Sequence, residues 1–157
     1  MPLINVTLQL PLRSRFSTSL YGTQTAQISL PKTSLASGTA ANQADREYIA
    51  TRTATTSGDP LDLAGGVLVQ RDGTAFSIVK LVCLAIFNRS TTATLTVGGG
   101  TSAIANISLT VGPNGTAYLI APDALAYAVA AGTADVLKVV SSEATSPYDI
   151  ILIGRSA

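Results

Sequence analysis

Several short stretches of this chain alternate apolar and polar residues with a period of two. Residues 91–97 read TTATLTV, so that Ala93, Leu95 and Val97 fall on one side and threonines on the other. The stretch ANISLTV at 105–111 alternates in the same way. A period of two is the signature of a β-strand with one buried face, because successive side chains of a strand point to opposite sides. We therefore predict that Ala93, Leu95 and Val97 face a core.

Other strand candidates follow one another along the chain at intervals of about a dozen residues. Turn-forming segments such as 98–102 (GGGTS) and 112–115 (GPNG) separate them, and no window has the period of an amphipathic helix. The predicted strands are 46–54, 62–69, 76–88, 91–97, 105–111, 116–121, 126–130, 135–141 and 148–154. Short, evenly spaced strands are typical of an antiparallel β-sandwich or barrel, and we predict an all-β fold.

The most apolar stretch, residues 76–88 (FSIVKLVCLAIFN), is predicted to be a long central strand that is buried on both faces. It is too short for a membrane helix, which needs about 20 apolar residues, and turn-forming residues flank it on both sides. The strand at 148–154 is expected beside it in the middle of a sheet. Lys80 would then lie at an edge or under a neighbouring subunit, and Cys83, the only cysteine, would be buried.

Charged residues make up only 12% of the chain, against about 25% in an average soluble protein. Hydrophobic residues reach 46%, which argues against disorder. A protein whose surface is partly covered by other chains needs fewer charges for solubility, so the composition indicates an assembly component. The net charge of +1 provides no whole-molecule attraction to nucleic acid or to an acidic membrane surface, and we expect neither as a partner.

Residues 1–45 are predicted to form an extended N-terminal arm, and residues 46–157 a β-sandwich domain. The arm is rich in serine and threonine, and its only charges before the last residue are Arg13, Arg15 and Lys32. A solvated tail and an arm that lies on an acidic partner are both open interpretations. The start also lacks the continuous apolar segment of a secretory signal.

One part of the arm, LINVTLQL at 3–10, alternates and favours a strand that adds to the edge of a neighbouring sheet. The two arginines that follow would then meet carboxylates of the same partner. The candidate partner-binding residues are Leu3, Ile4, Val6, Leu8, Leu10, Arg13 and Arg15.

The chain has no histidine and one cysteine, which removes the commonest general base, the usual catalytic triads and most zinc ligand sets. Ser77 and Lys80 have the S-x-x-K spacing of serine acyl-enzymes, but residues three apart on a strand point to opposite faces. The aspartates near turns are interpreted as caps of backbone N–H groups, not as glycosidase carboxylates or calcium ligands. They are Asp59, Asp62, Asp72, Asp123, Asp135 and Asp149. We predict no enzymatic activity, no cofactor and no metal site.

Three segments of the C-terminal half carry a recognisable pattern: 95–100 (LTVGGG), 111–140 (VGPNGTAYLIAPDALAYAVAAGTADVLKVV) and 148–157 (YDIILIGRSA). This pattern resembles small virion proteins of tailed bacteriophages, in which a turn similar to V-x-P-G-G leads into an apolar strand. Asn114 stands here where a second glycine is more usual in that turn. The resemblance covers roughly half of the chain, and its motifs are structural turns.

The resemblance implies a jelly-roll-like antiparallel β-sandwich that cements or decorates a capsid. It implies the major capsid protein as partner, a trimeric or dimeric homo-oligomer, and a place on the capsid surface of the virion after synthesis in the host cytoplasm. Similar sequences also belong to neck, tail or adaptor parts. Two further alternatives remain: a host-glycan-binding tail module, which predicts an exposed aromatic cluster, and a depolymerising enzyme, which needs a carboxylate pair in a cleft.

Overall fold

The structure is a computed structural model that describes residues 6–8, 11–18, 22–29, 33–124 and 126–157, with side chains from residue 34 onward. All the regular secondary structure in these ranges is β-strand. The strands are β1 (Val6–Leu8), β2 (Pro11–Thr18), β3 (Gly22–Ser29), β4 (Thr33–Ser37), β5 (Gln43–Ala44), β6 (Arg46–Ala54), β7 (Asp59–Asp62), β8 (Leu68–Val69), β9 (Ala75–Phe76), β10 (Lys80–Asn88), β11 (Leu95–Gly98), β12 (Ser108–Val111), β13 (Thr116–Ile120), β14 (Tyr127–Ala128), β15 (Val136–Ser141) and β16 (Ser146–Arg155).

Two larger sheets form the body of the protein. The five-stranded sheet has the order β13-β10-β16-β6, and β14 also pairs with β10. The four-stranded sheet has the order β12-β11-β15-β7. All strand pairs within these two sheets are antiparallel.

The strand connections are those of a jelly roll. When the short strands β8, β9 and β14 are left aside, eight strands remain between β6 and β16. They pair from the outside inwards: β6 with β16, β7 with β15, β10 with β13 and β11 with β12. A long antiparallel ribbon folded over on itself gives this pairing. The predicted antiparallel, jelly-roll-like β-sandwich is therefore confirmed.

The core lies between the two sheets, where alternate residues of the strands meet. Ala93, Leu95 and Val97 are fully buried there, as the period of two predicts. The rings of Tyr48 and Phe76 pack against each other with centroids 5.8 Å apart. Other fully buried members of this core on the paired strands are Ala54, Leu81, Leu84, Ile86, Tyr148, Ile150 and Leu152 in the five-stranded sheet and Leu61, Leu137 and Val139 in the four-stranded sheet.

The apolar run 76–88 contains parts of two strands, not one. Phe76 ends β9 and Lys80 begins β10, because the backbone between them bonds elsewhere: the N–H of Ile78 donates to the carbonyl of Leu63 at 2.9 Å. β10 and β16 occupy the middle of the five-stranded sheet, as predicted, and β10 is buried almost throughout. Lys80 is half-buried at its first position.

The predicted strand 62–69 is wrong. β7 ends at Asp62, whose Oδ1 accepts the N–H groups of Ala64 and Gly65 at 3.0 and 2.6 Å. This side-chain cap closes a turn, and the chain becomes extended again only at β8.

The N-terminal strands form two smaller sheets. β1 pairs antiparallel with β4, and β4 pairs parallel with β5, while β2 and β3 form an antiparallel pair of their own. The backbone of Val6–Leu8 thus pairs with Thr33–Ser37 of the same chain. The division into an arm at 1–45 and a sandwich domain at 46–157 stays a prediction.

Arg155 connects the end of the N-terminal region to the jelly roll. Its side chain is buried and donates to the carbonyls of Ala40 at 2.9 Å and Asp123 at 2.6 Å. Nearby, the Asp45 carboxylate accepts the backbone N–H of Ser156 at 2.8 Å. These bonds hold residues 40–45 against the last strand.

Asn88 is a buried polar residue that closes one end of the sandwich. Its amide donates to the carbonyls of Ala93, Val111 and Gly112 at 2.7, 3.2 and 2.9 Å, and its oxygen accepts the N–H of Ser90 at 3.0 Å. An Asn88→Ala variant leaves these buried groups unpaired and should lower the free energy of unfolding by about 2–3 kcal/mol. Urea unfolding monitored by circular dichroism measures the loss, and an unchanged midpoint would contradict it.

Candidate interaction surface

The five-stranded sheet carries an apolar row on the face that points away from the core. The register places Ile49, Ile151, Ala85 and Tyr118 side by side across four strands, β6, β16, β10 and β13. Ile49 and Tyr118 are each 43% exposed, and Ile151 is half-buried. Outward positions of an antiparallel sheet that faces solvent are normally polar, so an apolar row at these positions is unusual.

On one side of this row, the same face is partly covered by the chain itself, although Ile120 of β13 stays 38% exposed. The neighbouring row consists of Glu47, Ile153, Cys83 and Ile120. Leu35 of β4 and Ala44 of β5 pack with Cys83 and Ile153 in a second, smaller apolar cluster. Burial also raises the pKa of the Cys83 thiol to about 11. The N-terminal region therefore already uses part of this face as a packing surface.

On the other side, the face becomes mixed. The next row consists of Thr51, Asp149, Phe87 and Thr116. The Thr51 hydroxyl donates to Asp149 Oδ1 at 2.6 Å, and Arg89 contacts the same oxygen at 3.3 Å. Phe87, 38% exposed, extends the apolar surface into this row, while the polar groups form a border beyond it.

We call the exposed apolar part of this face the outer patch. Its exposed residues are Ile49, Phe87, Tyr118 and Ile120, and buried Ala85 and half-buried Ile151 lie between them. Among the side chains that the structure describes, seven large hydrophobic residues are exposed, and four of the seven lie in this patch. A contiguous apolar patch on an otherwise folded surface is typical of a protein–protein interaction site.

A second cluster ties the two sheets together at one seam. Arg52 of β6 binds Asp59 of β7 through two hydrogen bonds, both of 2.7 Å. The hydroxyl of buried Tyr148 donates to Asp59 at 2.7 Å, and Arg52 also donates to the hydroxyl of Tyr48 at 3.1 Å. Arg52 and Asp59 thus form a bidentate ion pair, in which Arg52 is also hydrogen-bonded to Tyr48 and Asp59 to Tyr148.

The ionisation of this cluster follows from its contacts. Burial alone would raise the pKa of Asp59, but the hydrogen bonds from Arg52 and Tyr148 outweigh it and hold that pKa below its ordinary 3.8. Burial, followed by the bond to Asp59, raises the pKa of Tyr148 above its ordinary range. The bond to Asp59 is also the main cause that raises the pKa of Arg52. At neutral pH the cluster is thus a closed carboxylate–guanidinium pair with Tyr148 protonated, which suits a structural role.

The remaining aspartates mostly cap backbone N–H groups, as the turn chemistry predicts. Asp62 caps its turn as described above, Asp72 accepts the N–H of Thr74 at 3.0 Å and Asp123 that of Ala126 at 3.0 Å. Asp135 accepts the N–H of Gly132 at 2.5 Å. Within the described ranges, no three potential metal-ligating carboxylate or thiol residues lie together.

The partner-binding residues predicted in the arm are described only in part. Val6 and Leu8 lie in β1, opposite Leu35 and Thr33, and Arg13 and Arg15 lie in β2, opposite Gln27 and Thr25. Leu3, Ile4 and Leu10 lie outside the described residues. Their role in binding stays a prediction.

Sequence reasoning missed the outer patch. Its residues come from four strands that are distant in sequence, and within each strand they look like ordinary core positions. One signal was available: β10 is apolar at nearly every position and β16 has an unbroken apolar run at 150–153, which requires cover on both faces of the sheet.

Comparison with known proteins found no match for this chain among protein-family models, curated proteins or solved structures. In the described residues, no helix is long and apolar enough to cross a membrane.

Proposed function

We propose that this protein is a structural component of a bacteriophage virion, most specifically a capsid cement or decoration protein. The observation that carries the proposal is the outer patch, because an apolar sheet face that stays exposed among the described residues is typical of a surface that binds a second chain. The low content of charged residues, 12%, agrees with a surface that is partly buried in an assembly.

The fold also supports this proposal, but less specifically than the outer patch does. Jelly rolls occur in viral capsid proteins, and also in lectins and cupins. The sequence resemblance to small virion proteins of tailed bacteriophages favours the first of these. Because one fold serves many functions, the support from the jelly-roll topology is an analogy. The outer patch is the stronger support for the proposal.

In the proposed mechanism, the protein makes and breaks no covalent bond. Copies of the chain associate into a trimer or dimer, which contacts several subunits of the major capsid protein at once. Many contacts of modest area, made together, hold neighbouring capsid subunits against the pressure of packaged DNA. The N-terminal arm adds contacts at high effective concentration once the body is bound, with Arg13 and Arg15 opposite capsid carboxylates.

Two alternatives use the same features in a different place. A neck or tail structural protein would also use a jelly roll with an exposed apolar face. A glycan-binding tail module would need several exposed aromatic rings, but Tyr48 and Tyr148 are buried and Tyr127 is half-buried. Among the tyrosines whose side chains the structure describes, only Tyr118 is exposed, which makes the structural candidate the stronger alternative.

The test of the proposed function is the copy number of this protein in purified particles, measured by quantitative mass spectrometry against the major capsid protein. A cement protein should be present in numbers comparable to the capsid subunits. About a dozen copies would indicate a ring at the neck, a handful would indicate the tail tip, and complete absence would overturn the proposal.

Deletion of residues 2–30 should lower the occupancy of the protein on particles by at least about tenfold, because the arm's contacts are lost while the body remains. Binding of purified variant and intact protein to particles that lack it measures the effect. Circular dichroism of the deletion variant controls for folding. Unchanged occupancy would show that the arm plays no part in attachment.

A further inference from the structure

The β2–β3 pair divides its apolar and basic residues between its two faces. In an antiparallel pair, opposite residues share a face and neighbouring residues alternate. The register therefore places three pairs on one face, Leu12 opposite Ile28, Ser14 opposite Ala26 and Phe16 opposite Gln24, so that this face carries the larger apolar residues of the pair among a few polar ones. Arg13 and Arg15 fall on the other face. The hairpin is thus an amphipathic ribbon with one face that calls for an apolar partner.

The size of this ribbon fits the outer patch. Two strands of eight residues give a ribbon about 26 Å long and about 10 Å wide, counting one strand spacing for each strand. The patch extends across four strands, which is about 14 Å between the outermost strands. A ribbon laid on the sheet can therefore cover the whole apolar row.

The patch also continues a surface that the N-terminal region already covers. Leu35 and Ala44 pack on Cys83 and Ile153, and the outer patch begins beside them, at Ile120 of the same row and Ile151 of the next. Yet Ile49, Phe87, Tyr118 and Ile120 stay at least 38% exposed in the folded single chain. These side chains are therefore open to contact with a second chain.

We propose that the outer patch is the docking site for the β2–β3 hairpin of a second copy of this chain, so that neighbouring copies exchange their N-terminal hairpins. The exchange is reciprocal: each copy donates one hairpin and receives one. Two such contacts approach the roughly 1,200 Å² that the smaller stable interfaces bury, and a closed symmetric assembly results. The inference rests on the self-association in the proposed function, but it does not require the virion.

This arrangement leaves Arg13 and Arg15 on the face of the hairpin opposite to the patch. The two arginines are then available to a different partner, which separates self-association from attachment. Changing them should affect binding to particles and leave the oligomer intact.

The first test measures the molar mass of the full-length protein in solution by sedimentation equilibrium. The intact protein should be an oligomer, and Leu12→Ser/Phe16→Ser should weaken its association at least about thirtyfold, because two apolar contacts are lost from each hairpin. Ile49→Thr/Tyr118→Thr should weaken it by a similar factor. The control Arg13→Ser/Arg15→Ser should leave the molar mass unchanged, and unfolding midpoints check that each variant is folded.

Combining the hairpin and patch changes should weaken association no further than either alone, since both remove one contact. An intact protein that stays monomeric at high concentration would overturn the exchange. A patch variant that dissociates while the hairpin variant does not would also overturn it, because another surface would then cover the patch. Self-association without incorporation into particles would overturn only the virion assignment.

The second test identifies which chain supplies the hairpin. Phe16→Cys and Ile49→Cys are placed in two differently tagged copies, which are mixed and treated with a short bismaleimide. Native Cys83 does not interfere, since it is buried and its pKa is raised to about 11. A product that carries both tags is expected. A third variant carries both changes in one chain. Cross-linking within that chain, with no product between the two tagged copies, would overturn the proposal, because the hairpin would then cover its own sheet.

Discussion

A Gly98→Ala variant is expected to be less stable than the intact protein by about 3 kcal/mol, because the change adds a steric clash to backbone strain. Gly98 ends β11 with φ at +103°, a region that residues with a Cβ rarely adopt. A Cβ at this position would also run into the backbone carbonyl of Ile107. A backbone atom in a hairpin cannot move aside as a flexible side chain can. Chemical unfolding measures the loss.

Gly99 provides the matched control. It is the next residue, its φ is +73°, and a Cβ built there would meet no atom within 4 Å. A Gly99→Ala variant should therefore lose only about 1 kcal/mol, the cost of the left-handed conformation alone. Equal losses for the two variants would show that the approach of Ile107 is not what requires glycine at 98.

An Asp59→Ala variant should lose about 3 kcal/mol of stability, because it leaves the Arg52 guanidinium without its carboxylate and the Tyr148 hydroxyl without its acceptor. The Asp59 side chain is only 13% exposed, so water replaces little of what is lost. The control is Arg89→Ala, which removes an ion pair whose side chains are 51% and 40% exposed. That change should cost less than about 1 kcal/mol.

The stabilisation that Asp59 provides should decrease as the solution becomes strongly acidic. Because folding holds the pKa of Asp59 below its ordinary 3.8, the stabilisation is fully present above that value and is lost as the pH falls through the lower pKa of the folded state. The difference in unfolding free energy between the intact protein and Asp59→Asn should therefore be constant from pH 5 to pH 7 and shrink in stronger acid. A difference that grows on acidification would contradict this account of the cluster.

The ion pair and its two tyrosines explain how the sandwich is closed at one seam. Arg52 and Asp59 come from neighbouring strands in the chain but from different sheets, so their bonds span the gap between the sheets. In the sequence, Asp59 was interpreted as an ordinary turn residue. Nothing in its local context distinguishes it from Asp72, which does cap a turn, because the difference lies in what the second sheet brings near it.

Local periodicity was sufficient for much of the fold. The alternation at 91–97 correctly assigned Ala93, Leu95 and Val97 to the core, since side chains alternate between faces wherever a strand forms. It failed at 62–69, where the Asp62 side chain captures two backbone N–H groups and ends the strand. A side-chain cap of this kind competes with the strand ladder and leaves the hydrophobic pattern unchanged.

The sequence by itself determined that the chain is all-β and that its two most apolar stretches lie in the middle of a sheet. These properties follow from the order of residues within single strands. Only the tertiary structure decided which strands pair, and with that the row formed by Ile49, Ile151, Ala85 and Tyr118. Each of these residues lies on a different strand, and hydrogen bonding between distant strands, which no local pattern encodes, brings them to one surface.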